Sequence, residues 1–331
     1  MKDIPRIPLL ELVSQGEAEL KTGPFGTQLK ASDYTESGIP VINVRNIGFG
    51  SIRPEKLEYI STATRDRLSS HVLKRGDIVF GRKGAVERHV FVRQEQNGWF
   101  QGSDCLRLRL NAGRVEPLFA SYFFLTPEHQ RWMMNQCSHG ATMASLNQEI
   151  LERIELPLPP LPIQRRIAGI LSTYDDLIEN SQRRIKILEE MARRLYREWF
   201  VHFRFPGHED CAFVDSPLGE IPEGWEIVDL GAVCLNPKGI QTGPFGSQLH
   251  ESDYSAEGVP VVMPKDLIDY RIRDQGAACI SEETAAKLDR HRMQLGDIVY
   301  GRRGDIGRRA FIMPHQAVSY THLTLPTILL V

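Results

Sequence analysis

Two runs that mix glycine with cationic residues are the first places in this sequence where chemistry could be done. Gly76-Asp77-Ile78-Val79-Phe80-Gly81-Arg82-Lys83-Gly84 is followed by Arg88, and the pattern returns as Gly296-Asp297-Ile298-Val299-Tyr300-Gly301-Arg302-Arg303-Gly304 followed by Arg308. Glycine lets a backbone approach a ligand closely, while Arg and Lys offer charge to phosphates or donors to base edges. A nucleotide-phosphate loop is one rival, since four residues separate Gly76 from Gly81. It fails because Lys83 does not directly follow the second glycine, no Ser or Thr comes next, and the second run has Arg303 instead. A nuclease built on Asp77 and Asp297 is another, but no Glu-x-Lys follows at nuclease spacing. The ten histidines form no His-x3-His pair, and no Asn/Asp-Pro-Pro-Tyr/Phe tetrapeptide for holding a base amino group is present. The residues therefore predict no active site, no metal and no cofactor, and the cations are read as contacts to DNA.

Charge supports that reading locally. From Lys74 to Arg114 there are nine Lys and Arg against four acids, a surplus of five in a chain of net charge −2. Because the cations recur in both runs, Arg82, Lys83, Arg88, Arg302, Arg303 and Arg308 are expected on the phosphate backbone, which carries no sequence information. Base reading is expected where the two copies differ: Asn43, Arg45 and Asn46 stand against Met263, Lys265 and Asp266. Arg suits guanine and Asn suits adenine. The turn Thr22-Gly23-Pro24-Phe25-Gly26 is expected to be structural, with Phe25 in the core, Asp33 a cap and Tyr34 a packed ring.

What positions these residues is a duplicated domain. Thr22-Gly23-Pro24-Phe25-Gly26-Thr27-Gln28-Leu29 recurs as Thr242-Gly243-Pro244-Phe245-Gly246-Ser247-Gln248-Leu249, and every matched pair is offset by 220 without an insertion. Within one copy, short β-branched and aromatic runs at 40–44, 77–80, 90–92 and 105–110 read as strands, and Glu116 to Asn135 reads as a helix with Leu118, Tyr122, Phe123 and Trp132 on its apolar side. The class is α+β: two repeated mixed domains joined by a long spacer helix. The first domain is placed at 1–155, the proline-rich entry and spacer at 156–206, and an incomplete second domain at 207–317. The tail, 318–331, matches nothing in the first copy and is expected to be foreign sequence.

The spacer reads as a helix from about Ile163 to Phe200. Ile167, Leu171, Tyr174, Ile178, Ser181, Ile185, Leu188, Ala192, Leu195 and Trp199 alternate at spacings of four and three, a heptad seam roughly 48 Å long that calls for a partner helix. Arg165, Arg166, Arg183, Arg184, Arg193, Arg194 and Arg197, mixed with Asp175, Asp176, Glu179, Glu189 and Glu190, are expected to form mostly a solvated face. Tyr196, Trp199, Phe200 and Phe203 are expected to pack on a domain.

The bounds are those of an ordinary soluble chain: 331 residues, 41% hydrophobic and 25% charged. Five scattered cysteines (Cys105, Cys137, Cys211, Cys234, Cys279) argue for a reducing compartment, and neither a membrane span nor a signal peptide is evident.

Taken together, Leu156-Pro157-Leu158-Pro159-Pro160-Leu161-Pro162-Ile163-Gln164-Arg165-Arg166-Ile167, Leu188-Glu189-Glu190-Met191-Ala192, Glu198-Trp199-Phe200-Val201-His202-Phe203, Gly140-Ala141-Thr142-Met143-Ala144-Ser145-Leu146-Asn147 and Ile221-Pro222-Glu223-Gly224-Trp225 resemble the specificity subunits of type I restriction-modification systems. The resemblance covers residues 1 to about 317. It implies a cytoplasmic, non-catalytic subunit in which each repeated domain reads one half of a split DNA target. It further implies a spacer that sets the gap and docks methyltransferase subunits, with restriction/translocase subunits completing the complex. Two alternatives stand beside it: a nuclease with an unrecognised active site on the repeated Gly-Asp-Ile-Val cassette, with Asp77 and Asp297 as its candidates, and a non-DNA adaptor tethering two modules.

Overall fold

The computed structural model describes residues 4–111, 113–137, 144–234, 239–244, 248–273, 276–302, 306–314, 320–321 and 323–325. Contacts divide the chain into residues 1–193 and 194–331.

In the first unit the strands are β1 (Arg6–Pro8), β2 (Ala18–Thr22), β3 (Tyr34–Thr35), β4 (Ile39–Ile42), β5 (Phe49–Gly50), β6 (Glu58–Ile60), β7 (Ile78–Gly81), β8 (His89–Phe91), β9 (Phe100–Gln101), β10 (Cys105–Leu110) and β11 (Glu155–Pro157). They form a five-stranded sheet in the order β2-β10-β7-β8-β5, a four-stranded sheet β3-β6-β4-β9, and the pair β1-β11. Strand β10 is the keel, antiparallel to β2 on one side and β7 on the other. Its alternation sorts side chains between two cores. Leu106, Leu108 and Leu110 join Ile78, Phe80 and Phe124 on one face, while Cys105 joins Val79, Val90 and Val92 on the other. Arg107 shares that second face and is 1% exposed, so it has to find acceptors there. It donates to Glu19 Oε1 at 2.6 Å and to the Ser70 carbonyl at 3.0 Å.

Two expectations are revised in this unit. The helix expected from Glu116 to Asn135 is two helices, α3 (Pro117–Phe124) and α4 (Pro127–Cys137). Pro127 has no N–H to continue the ladder and opens the second helix instead. The proline-rich entry to the spacer is also more than a stop, because Leu156 in β11 pairs opposite Ile7 in β1.

The spacer is one helix, α6 (Leu161–Phe200), 40 residues long and so about 60 Å from end to end. Gln164 roots it: buried, it accepts from the Glu116 N–H at 2.9 Å and donates to the carbonyls of Pro159 (2.7 Å) and Arg114 (2.9 Å). Further along, Tyr122 donates to Asp175 Oδ2 at 2.7 Å and the Arg93 guanidinium lies 3.3 Å from Asp176, 3.6 Å from Glu179 and 3.9 Å from Asp175. These three acids thus anchor the helix to the domain while their side chains stay partly or largely exposed. Beyond them the seam is open: Ile178 is 55%, Ile185 50%, Leu188 60% and Leu195 49% exposed.

The second unit repeats the first. Its strands include β12 (Phe213–Ser216), β13 (Gly219–Pro222), β14 (Gln241–Thr242), β15 (Tyr254–Ser255), β16 (Val259–Val262), β17 (Leu267–Ile268), β18 (Arg271–Ile272), β19 (Ala278–Ile280), β20 (Ile298–Tyr300) and β21 (Arg309–Phe311). Val259 pairs with Ile280 as Ile39 pairs with Ile60, and Ile298 with Phe311 as Ile78 with Phe91, all on the 220 ruler. Phe203 caps the end of α6 in a left-handed conformation at φ +54. Its ring lies 5.3 Å from Trp225 and 6.2 Å from Phe213, so the aromatic residues at the helix end do pack within this unit.

Part of the tail also takes up strand positions. Tyr320–Thr321 runs parallel to β16, as β9 does to β4, and Leu323–Leu325 pairs with β20 and β14, as β10 does with β7 and β2. Leu325 faces Ile298 where the ruler places residue 328, so the backbone pairing continues three residues out of step with the sequence repeat. The rest of the tail, residues 318–319, 322 and 326–331, lies outside the described residues.

Acid should unfold the first unit through two histidines. Burial lowers His89, bonded through Nε2 to Ser121 Oγ at 2.8 Å, from 6.5 to about 3, and lowers His129 from 6.5 to about 4. Both are neutral in the fold and take up protons near pH 6.5 once unfolded. Their contribution is therefore complete above pH 6.5 and drains away as pH falls toward the folded values. The expected slope is up to ~2.7 kcal/mol per pH unit for the pair. Circular-dichroism melts over that range check this, and His89→Gln should roughly halve the slope.

Candidate nucleic-acid interface

The Gly76–Gly84 run folds as β7 with the loop that leaves it, and Asp77 is not available to a ligand. Asp77 is 1% exposed, caps its own turn through the Lys74 N–H at 2.8 Å, and takes two bonds of 2.7 Å from Arg109. Its counterpart Asp297 keeps the backbone bond, from Gln294 at 2.7 Å, and burial pushes its carboxyl above the ordinary range. A buried carboxylate already holding a guanidinium fork cannot bind a metal-activated water, so Asp77 is structural and the nuclease alternative loses its principal residue.

The local cation surplus is also smaller on the surface than in the sequence. Arg107 and Arg109 turn inward to Glu19 and Asp77, Arg114 binds Glu17, and Arg93 faces the acids of α6. Arg88 stacks its guanidinium 5.1 Å over the Phe49 ring and lies 3.3 Å from Glu87, which makes it a packing cation. Asn46, expected to read a base, is fully buried: its Oδ1 accepts from the Asn43 N–H and its Nδ2 donates to the carbonyls of Arg53 and Glu55. Asp266 is buried in the equivalent cap on Met263. The pair differs between copies but does one job, and neither can reach DNA.

Of the cations left, Lys74 and Arg75 are exposed ahead of β7, whereas the half-buried Arg82 and the exposed Lys83 follow it and meet one turn, Gly102-Ser103-Asp104, between β9 and β10. The Arg82 N–H donates to the Asp104 carbonyl at 2.9 Å, and Lys83 Nζ lies 3.7 Å from Asp104 Oδ1 with both side chains more than half exposed. The loop is braced from behind by the Leu146 N–H on the Arg82 carbonyl at 2.8 Å. On the other side, Gly102 donates to the Ile42 carbonyl at 3.0 Å. There Asn43 and the exposed Arg45 both bond Glu58, at 2.6 and 2.5 Å. The turn beginning at Thr22 closes the group, since the Gly23 N–H donates to the Cys105 carbonyl at 2.8 Å and a Cβ on Gly23 would sit 1.9 Å from the Gly102 oxygen. Only glycine fits there. Phe25, expected in the core, is instead 63% exposed at the tip of this turn.

In the second unit Lys265, Arg302 and Arg308 are exposed, while Arg303 and Phe245 lie outside the described residues, as do residues 140–143 of the motif before α6. Among the described residues no three His, Cys, Asp or Glu side chains converge as metal ligands, and no helix is long and apolar enough to cross a membrane.

Comparison with known proteins gives this arrangement a place. A family model described as the type I restriction modification DNA specificity domain matches residues 26–190, a span that takes in most of the first domain and most of α6. Those residues match that family's domain. A protein of Methanocaldococcus jannaschii provisionally described as the MjaX specificity subunit of a type I restriction enzyme is 29% identical over 234 residues, 69% of this chain and 53% of that one. The MjaIX specificity subunit of the same organism is 32% identical over 147 residues, 44% of this chain and 33% of that one. The chain thus spans between a third and about half of these relatives. A crystal structure of the S subunit of a type I restriction-modification system from M. genitalium shares the fold, with a TM-score of 0.51 at 14% identity, covering 99% of this chain and 72% of that one.

Replacing Asp77 by Asn should strand the Arg109 guanidinium and lower the stability of the first unit by about 3 kcal/mol, read by urea denaturation. Asp297→Asn, which removes a carboxyl that burial disfavours, should leave stability unchanged or raise it.

Proposed function

We propose that the chain is a non-catalytic DNA-recognition subunit of a type I restriction-modification complex. Each repeated domain reads one half of a split duplex target, and α6 sets the gap between the half-sites. The observation that carries this reading is the family match across residues 26–190, because it joins the first domain to the helix in one unit of the family. The polar group around Gly102–Asp104 supports it, since Arg82 makes no ion pair among the described residues and Lys83 is only loosely held. Arg82 and Lys83 are assigned to phosphates and Arg45 with Asn43 to base edges; in the second domain Lys265 takes the base-edge role, Arg302 and Arg303 the phosphate role, and Arg308 a further phosphate contact of its own. The cation–carboxylate pair Arg45–Glu58 suits selective reading, because a bound base must offer more than the acid it displaces.

The open seam of α6 (Ile167, Leu171, Ile178, Ile185, Leu188, Leu195 and Trp199) is assigned to helix pairing and to the docking of methyltransferase subunits, with restriction/translocase subunits joining the assembly. The boundaries at 155, 206 and 317, and the foreign origin of 318–331, are part of the same proposal, as is a cytoplasmic location.

Arg82→Ala with Lys83→Ala should weaken duplex binding for all sequences and lower the salt slope by about one for each lost phosphate contact. Fluorescence anisotropy across a salt series measures it, and an unchanged slope rejects the phosphate role. Leu188→Asp should cost the docked assembly about 3 kcal/mol, roughly a hundredfold in affinity. If the methyltransferase still co-purifies, the seam is not the docking surface.

A further inference from the structure

At the tip Phe25-Gly26-Thr27-Gln28 the backbone serves the turn, but the ring of Phe25 has no structural task. Phe25 is 63% exposed and belongs to none of the buried clusters, although a Phe side chain is among the costliest to leave in water. The backbone beneath it is tied down on both sides. Gly23 and Pro24 are buried, Gly23 is locked against Gly102, Gly26 turns the chain at φ +63, and the Gln28 carbonyl accepts from Arg67 Nη1 at 2.9 Å. Such a tip presents an aromatic ring from a fixed base, which lowers the entropy lost when the ring is buried by a partner.

Three features specify the partner. The tip stands beside Arg82 and Lys83, because both loops bond to the same short stretch, Gly102 to Cys105. The sequence is repeated as Phe245-Gly246-Ser247-Gln248, inside the longer match of residues 22–29 to residues 242–249. A feature kept in both copies, while the proposed base-reading positions differ, suits a surface that every DNA sequence offers. Rings that insert at a base step or stack on a base face have that tolerance, since every base has a π-face.

We infer that Phe25 is an apolar wedge that presses against a base step of the duplex while Arg82 and Lys83 hold the adjacent phosphates. The inference rests on the DNA-recognition reading and adds to it a sequence-independent contact that is not electrostatic. The wedge therefore contributes affinity without contributing to the salt slope.

The test uses the full chain and a fluorescein-labelled duplex pool of random sequence, titrated by anisotropy over a salt series. Phe25→Ala is expected to weaken binding by about tenfold at every salt concentration with an unchanged slope, whereas Phe25→Trp retains affinity. Because Phe25 is exposed, its melting temperature should match that of the unaltered chain. Affinity within about twofold of the unaltered chain, alongside a lowered slope in Arg82→Ala/Lys83→Ala, overturns the wedge and leaves DNA recognition standing. A markedly lowered melting temperature also overturns it, by making Phe25 a packing residue. Loss of methyltransferase co-purification with DNA affinity intact assigns the tip to a protein partner and overturns it too. If the unaltered chain shows no salt-dependent binding at all, the recognition reading falls and the wedge with it.

Discussion

Everything in the first unit hangs on a strand that buries charge. β10 carries leucines toward one core and Cys105, Arg107 and Arg109 toward the other, so the second core must supply carboxylates and carbonyls for two guanidiniums. Burying an ion unpaired costs several kcal/mol, and pairing recovers that only when the geometry is good. Glu19 meets the condition from β2 and Asp77 from the turn that leads into β7, which ties both strands to β10. The turn that follows β9 then has one available position, and the exposed loops are arranged around it. The exposed loop surface is thus the outer end of an internal ion-pair arrangement.

Much of this was legible in the sequence. The 220-residue offset predicted the repetition seen in the strand registers, and the heptad spacing predicted α6 to within two residues at its start. What was not legible depended on partners distant in sequence. Arg93 looks like a surface cation until α6 brings Asp176 and Glu179 beside it, more than 80 residues later. Asn46 looks like a base reader until the carbonyls of Arg53 and Glu55 consume its amide. The cap it makes was a recoverable signal, since Asn43 and Asn46 have the same three-residue spacing as Lys30 and Asp33, and Asp33 was read as a cap.

Phe25 shows the limit of hydrophobicity as a guide. A large aromatic residue between glycines reads as a core residue because most are. Here Gly23 and Pro24 occupy the buried positions and push the ring outward, a consequence of the 1.9 Å that a Cβ at Gly23 would leave to the Gly102 oxygen.

The anchorage of α6 has a consequence for how this chain responds to its surroundings. Arg93, Asp175, Asp176 and Glu179 lie on partly or largely exposed side chains, within reach of mobile ions that screen charge beyond about 8 Å at physiological strength. Electrolyte therefore acts twice on the same molecule. It competes for the phosphates that the loops would hold, and it slackens the rivet between the first domain and its rod, leaving Gln164 and Tyr122 as the hinge pins.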